Sequence, residues 1–135
     1  MQGKKHYEEK LFTQVHLSRR IPRDNYYRRL KRKLNLNFIY KLTKEYYGKG
    51  GKQSIDPVVF FKLCFIKKKE GITSDKKLID FCNIRLDIIY FLDYNIDEKL
   101  PHYNTVYRTR KLFPDDLYNS IMEKIEEKAV EQEKE

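Results

Sequence analysis

Apolar residues return at helical spacing along most of this chain, and no stretch alternates in the way a half-buried strand would. Tyr27, Leu30 and Leu34 fall on one face of a first helix that opens near Pro22, with Asp24 read as its N-cap. Phe38, Ile39, Leu42 and Tyr46 mark the core side of a second, Phe38 to Tyr47, ended by "GKGG" at 48–51. "SIDPVVFFKLCFIKKKEG" predicts a third over Pro57–Lys69. Asp56 is its cap, proline stands at the first helical position, and Gly71 stops it. That run is apolar on nearly every face until Lys67, the mark of a central, buried helix. Ser74 caps a fourth helix through Cys82, and a fifth covers Leu86 to Leu92.

After the loop "DYNIDEKLP", Asn104 or Thr105 caps a sixth helix, Thr105 to Phe113. The last starts at Pro114 and Asp115 and carries Leu117, Tyr118, Ile121, Met122 and Ile125 on its stripe. Past Val130 the text is charged and core-free and is expected to fray, leaving residues 131–135 as a tail. The expectation is an all-α fold: a compact bundle of six to seven short helices over residues 15–130, preceded by a basic, flexible arm at 1–14. The stretch "EGITSDKKLIDFCNIRLDIIYFL" has the cadence of a helix-turn-helix unit, though it is poor in cations and reads mainly as scaffold.

Length changes little in this picture, since 135 residues suit one domain with a modest core. Charge changes more. Residues 1–70 hold 19 Lys and Arg against 6 Asp and Glu, whereas residues 71–135 hold 10 against 14. A basic half joined to an acidic one points to a polyanionic partner. Cys64 and Cys82 lie in apolar runs and read as buried structural thiols in a reducing compartment. No signal peptide or membrane span is visible, so the expectation is a soluble, cytoplasmic protein.

Candidate chemistry is nearly all cationic. Asp87, Asp93, Asp97 and Glu98 cluster in sequence but read as caps and solvated charge. His6, His16 and His102 make no ligand spacing with the cysteines, and no phosphate loop or dinucleotide fingerprint appears. No catalytic residue, metal, cofactor or small-molecule substrate is therefore assigned. "RRIPRDNYYRRLKRK", by contrast, sets eight cations against Asp24 alone, with tyrosines between them. Arg23, Arg28, Arg29, Arg32 and Lys33 are candidate phosphate contacts there. On helix 105–113 Val106, Thr109 and Phe113 share one face, leaving Tyr107, Arg108, Arg110 and Lys111 to meet DNA. The competing expectation pairs these arginines with Asp115 and Asp116.

Four stretches in order, "IPRDNYYRRL", "YYGKGGKQSIDPVVFFKL", "GITSDKKLIDFCNIRLDIIYFLDYNIDEKLP" and "NTVYRTRKLF", resemble the N-terminal domain of bacterial insertion-sequence transposases of the DDE type. The "T-x-x-R-T-R" pattern at Thr105–Arg110 is among the most specific. The chain departs from that family at Tyr103, Asn104 and Tyr107, where histidine, serine and serine are usual. The resemblance implies a helical module that binds terminal inverted repeats of double-stranded DNA at the bacterial nucleoid. It implies catalysis by a separate RNase H-like domain, so a chain ending "EKIEEKAVEQEKE" is expected to be either a truncated or remnant gene product or an excised domain, non-catalytic in either case. The other expectations are a small helix-turn-helix regulator and a homodimerisation module built on the Tyr- and Phe-rich core.

Overall fold

The computed structural model describes residues 2–48 and 54–133. Among them stand eight α-helices, one short 3-10 helix and no strand: α1 (Leu17–Arg20), α2 (Tyr26–Lys33), α3 (Phe38–Thr43) with the 3-10 helix Lys44–Tyr46, α4 (Pro57–Lys69), α5 (Asp75–Asn83), α6 (Leu86–Phe91), α7 (Tyr103–Arg110) and α8 (Asp115–Glu133). No helix there is long and apolar enough to cross a membrane.

The all-α expectation holds, with α4 at the centre. Asp56 accepts hydrogen bonds from the amides of Val58 (2.7 Å) and Val59 (3.4 Å), which settles two of the free N–H groups at the helix start, where Pro57 has none to offer. Phe60, Phe61, Leu63 and Ile66 are wholly buried. Phe61 meets Phe60, Phe113 and Tyr118 at ring separations of 5.0, 5.5 and 5.7 Å. Gly71 at φ +66 then ends the helix in a left-handed turn, with the Ile72 amide donating to Lys67 O at 2.9 Å and that of Gly71 to Lys68 O at 3.3 Å. The two bonds form the Schellman pattern, where glycine carries no Cβ penalty.

α3 and α8 pack on α4, α8 through buried Ile121, Met122, Ile125 and Ala129. α5 lies between α4 and the pair α6 and α7. Thr43 is fully buried in the α3 turn without loss, because its hydroxyl donates to Ile39 O at 2.7 Å. Cys64 on α4 and Cys82 on α5 are both buried, and burial pushes each thiol up to about 12.

Several boundaries differ from the sequence expectation: α3 gives way to the 3-10 helix after Thr43, and α7 ends at Arg110, short of Phe113. α1 is additional. It has only four residues and exists because Leu17 and Ile21 pack on Ile89 of α6. The cap of α2 is Asn25, whose side chain accepts from the Arg28 amide at 3.1 Å, and not Asp24. α7 starts two residues before Thr105, since His102 Nδ1 accepts from the Asn104 amide at 3.0 Å. α8 stays helical beyond Val130, to Glu133. The exit expected at "GKGG" falls largely on residues 49–51, outside the described residues.

Candidate nucleic-acid interface

α2 and α6 lie side by side, and two clamps fix them. At one end Asn25, while capping α2, also donates to Asp87 at 3.0 Å. Arg85 grips the same carboxylate with two hydrogen bonds of 2.9 and 2.6 Å, and the Ile88 amide adds a fourth at 2.9 Å. At the other end Lys31 pairs with Asp93 at 2.7 Å and donates to Tyr90 O at 2.7 Å. Both clamps join residues 62 apart in sequence, so the two helices run in the same direction. Burial pushes the Asp87 carboxyl upward. The bonds from Arg85 and Asn25, the Arg85 charge and the Ile88 amide outweigh it, and the carboxyl lies below its ordinary range. Asp93 is lowered likewise: burial acts against it, and Lys31 and Lys62 prevail.

Pinned this way, α2 and the turn before it form one side of a cleft of about 430 Å³ lined by Arg23, Arg28, Lys31, Arg32 and Tyr90. These cations are not equivalent. Arg28 is held inward by hydrogen bonds to the Ser18 and Ile21 carbonyls, the second at 2.8 Å, and lies 5.5 Å from the Tyr90 ring centre. Lys31 sits 3.9 Å from the same centre and is already neutralised by Asp93. Arg23 and Arg32 are exposed and carry no hydrogen bond or ion pair among the described residues. Arg29 is half-buried on another face of α2, and its Nε is buried with no hydrogen-bond partner there. Lys33 is exposed. Of the α2 candidates, then, Arg23, Arg28 and Arg32 come together, and Arg29 turns away. Sequence reasoning did not place Lys31 or Tyr90 in the site. Lys31 could have been found, since three residues from Arg28 is the same helix face. Tyr90 comes from a distant helix and left no local signal.

α7 forms a second cationic surface. Val106, Thr109 and Phe113 are buried, and the helix packs on α5. Tyr107 is 54% exposed, with Lys111 Nζ 4.3 Å from its ring centre. The two arginines part company. Arg110 donates to Asp115 at 2.9 Å and lays its guanidinium 3.7 Å from the Tyr118 ring centre. Arg108 is exposed, and its one polar contact among the described residues is a 3.4 Å bond to Thr105 Oγ1 in its own turn.

What emerges is an all-helical domain with a cationic cleft and a cationic helix. The family model described as Transposase domain (DUF772) matches residues 15–112, which run from just before α1 to just after α7. The chain belongs to that family, in keeping with the N-terminal region of an insertion-sequence transposase. No curated protein and no solved structure matches the chain.

Proposed function

We propose that this domain is the DNA-binding module of an insertion-sequence transposase, and that it holds the terminal inverted repeats of the element without itself cutting strands. The observation that carries the reading is the α2–α6 cleft: two arginines with free guanidinium groups stand over a floor of two further cations whose positions are fixed. Arg23 and Arg32 are the phosphate ligands, because their charge is not spent within the fold. Arg28 and Lys31 shape the cleft and add to its field. Arg108 and Lys111 on α7 are the second contact, with Tyr107 able to donate a hydroxyl to phosphate. Lys33 supplies further positive charge at the end of α2. The opposing sign supports this side of the molecule, since Asp116, Glu123, Glu127 and Glu131 are exposed along one face of α8 and would repel a duplex there.

The test is binding of the full chain to an inverted-repeat duplex and to a shuffled one, read by fluorescence anisotropy over a range of salt. Log affinity should fall with log salt by about 0.9 per phosphate contacted. The inverted repeat should bind more tightly at every salt. Equal affinity for both duplexes, or affinity indifferent to salt, would overturn the reading.

A further inference from the structure

The arm before α1 has apolar side chains with nowhere to go. Tyr7, Leu11 and Phe12 are 78%, 88% and 85% exposed, and residues 2–16 form no helix or strand. Elsewhere the bundle has an apolar groove that none of the described residues fills. Tyr26, Phe65, Ala129 and Val130 line this cavity of about 290 Å³, where the start of α2 meets the ends of α4 and α8. Its rim is charged: Lys68 pairs with Glu126 at 2.7 Å, and Lys69 Nζ lies 4.1 Å from the Tyr26 ring centre.

We propose that the groove receives the "EEKLF" segment, residues 8–12, from a second copy of this chain, and that two copies exchange arms reciprocally. Charge and polarity match along the segment. Leu11 and Phe12 supply the apolar pair for the floor, Glu8 and Glu9 meet Lys68 and Lys69, and Lys10 meets Glu126. The same two glutamates make DNA the poorer occupant, since they would face phosphates. A second copy is favoured over the arm's own bundle by the position of α2. Val15 and His16 leave the bundle beside Lys31, Tyr90 and Asp93. Lys31 and Tyr26 are five residues apart on one helix, hence about 140° apart around its axis. The arm therefore departs on one side of α2 and the groove opens on another. The exchange is a closed, two-fold arrangement, which satisfies both arms and leaves no free groove to propagate a chain of molecules.

Sedimentation velocity of the full chain over a concentration series tests this. A monomer–dimer equilibrium is expected. Leu11→Ser with Phe12→Ser should weaken it by about tenfold or more, and so should Val130→Glu on the other side of the contact. Circular dichroism should be unchanged in both, since these side chains are exposed. Glu9→Lys should weaken the dimer, and Lys69→Glu added to it should restore part of the loss. A chain that is monomeric up to about 1 mM, including one whose own arm fills the groove, overturns the proposal. So does a dimer that neither variant weakens. The readout needs no DNA, so it is independent of the function proposed above.

Discussion

Lys31 on α2 and Asp93 just past α6 meet at 2.7 Å, and Asp93 does so from a left-handed backbone, φ 65. Its amide donates to Tyr90 O and that of Tyr94 to Ile89 O, both at 3.1 Å, the same helix-ending pattern seen at Gly71. Glycine would adopt this φ most cheaply. Aspartate stands there because its carboxylate gathers two lysines: Lys31, and at 3.4 Å the buried Lys62 of α4, which also donates to Phe91 O at 2.6 Å. Burial lowers the Lys62 ammonium, and Asp93 partly restores it.

Two substitutions at Asp93 separate backbone from charge. Asp93→Asn keeps a residue that tolerates the left-handed turn and removes the charge, so it should lose about 1 kcal/mol. Asp93→Gly loses the same pair but regains about 1 kcal/mol of backbone strain, and should sit near wild type. Urea midpoints give both values. Asparagine as stable as aspartate would mean the lysines gain nothing from the carboxylate.

Acid should loosen the α2–α6 pair. Asp87 and Asp93 both have folded values below the ordinary 3.8, so the native state binds fewer protons than the unfolded one. Their contribution is complete above about pH 4 and is lost as pH falls through the folded values. Melting temperature against pH should show an acid limb that is shallower in Asp87→Asn than in wild type. Parallel limbs would remove Asp87 from the account.

Phe61→Ala should cost about 3–5 kcal/mol, since the ring is wholly buried among three other aromatic rings. A loss under about 1 kcal/mol in denaturant unfolding would show that α4 is not central to stability.

Arg108 and Arg110 should fail in different assays. Arg108→Ala should leave the melting temperature alone and lower the preference for inverted-repeat over shuffled duplex by about 1–3 kcal/mol if the guanidinium reads guanine. Arg110→Ala should lower stability by about 1 kcal/mol, through the lost stacking on Tyr118 and the pair with Asp115. Equal behaviour of the two variants in both assays would contradict the division.

Arg23→Gln and Arg32→Gln should each reduce the salt slope of binding by about one unit, alike on both duplexes. Lys31→Met should instead show first as lost stability. An unchanged slope in the Arg23/Arg32 double variant would take the cleft out of the interface.

The bounds of α4 were legible to the residue, because Asp56-Pro57 and Gly71 are strong punctuation around an apolar run. α1 was not, since "LSRR" has one apolar residue and is helical only where α6 gives Leu17 a surface. The α2 cap was ambiguous in principle: Asp24 and Asn25 are both capping types, and Asn25 is chosen by a bond to Asp87, 62 residues away. His102 lies outside the usual capping set, so the sequence pattern alone places the start of α7 too late. In the site, the density of cations was visible, but their allocation was not. Nothing local says that Arg28 is tied to Ser18 and Ile21, that Lys31 is neutralised by Asp93, or that Arg108 and Arg110 have different partners.

The two cysteines give the bundle a built-in clock. Thiolate is the reactive form, and a thiol at about 12 inside a packed core supplies almost none of it at neutral pH. Cys82 exposes no surface, so its alkylation must wait for the helices around it to part, whereas Cys64 keeps 8% of its surface and lines a shallow cavity. Cys64 rides on α4 and Cys82 on α5, so equal rates at the two positions would mean that the bundle opens as one unit, and a faster Cys82 would mean that α5 peels away first.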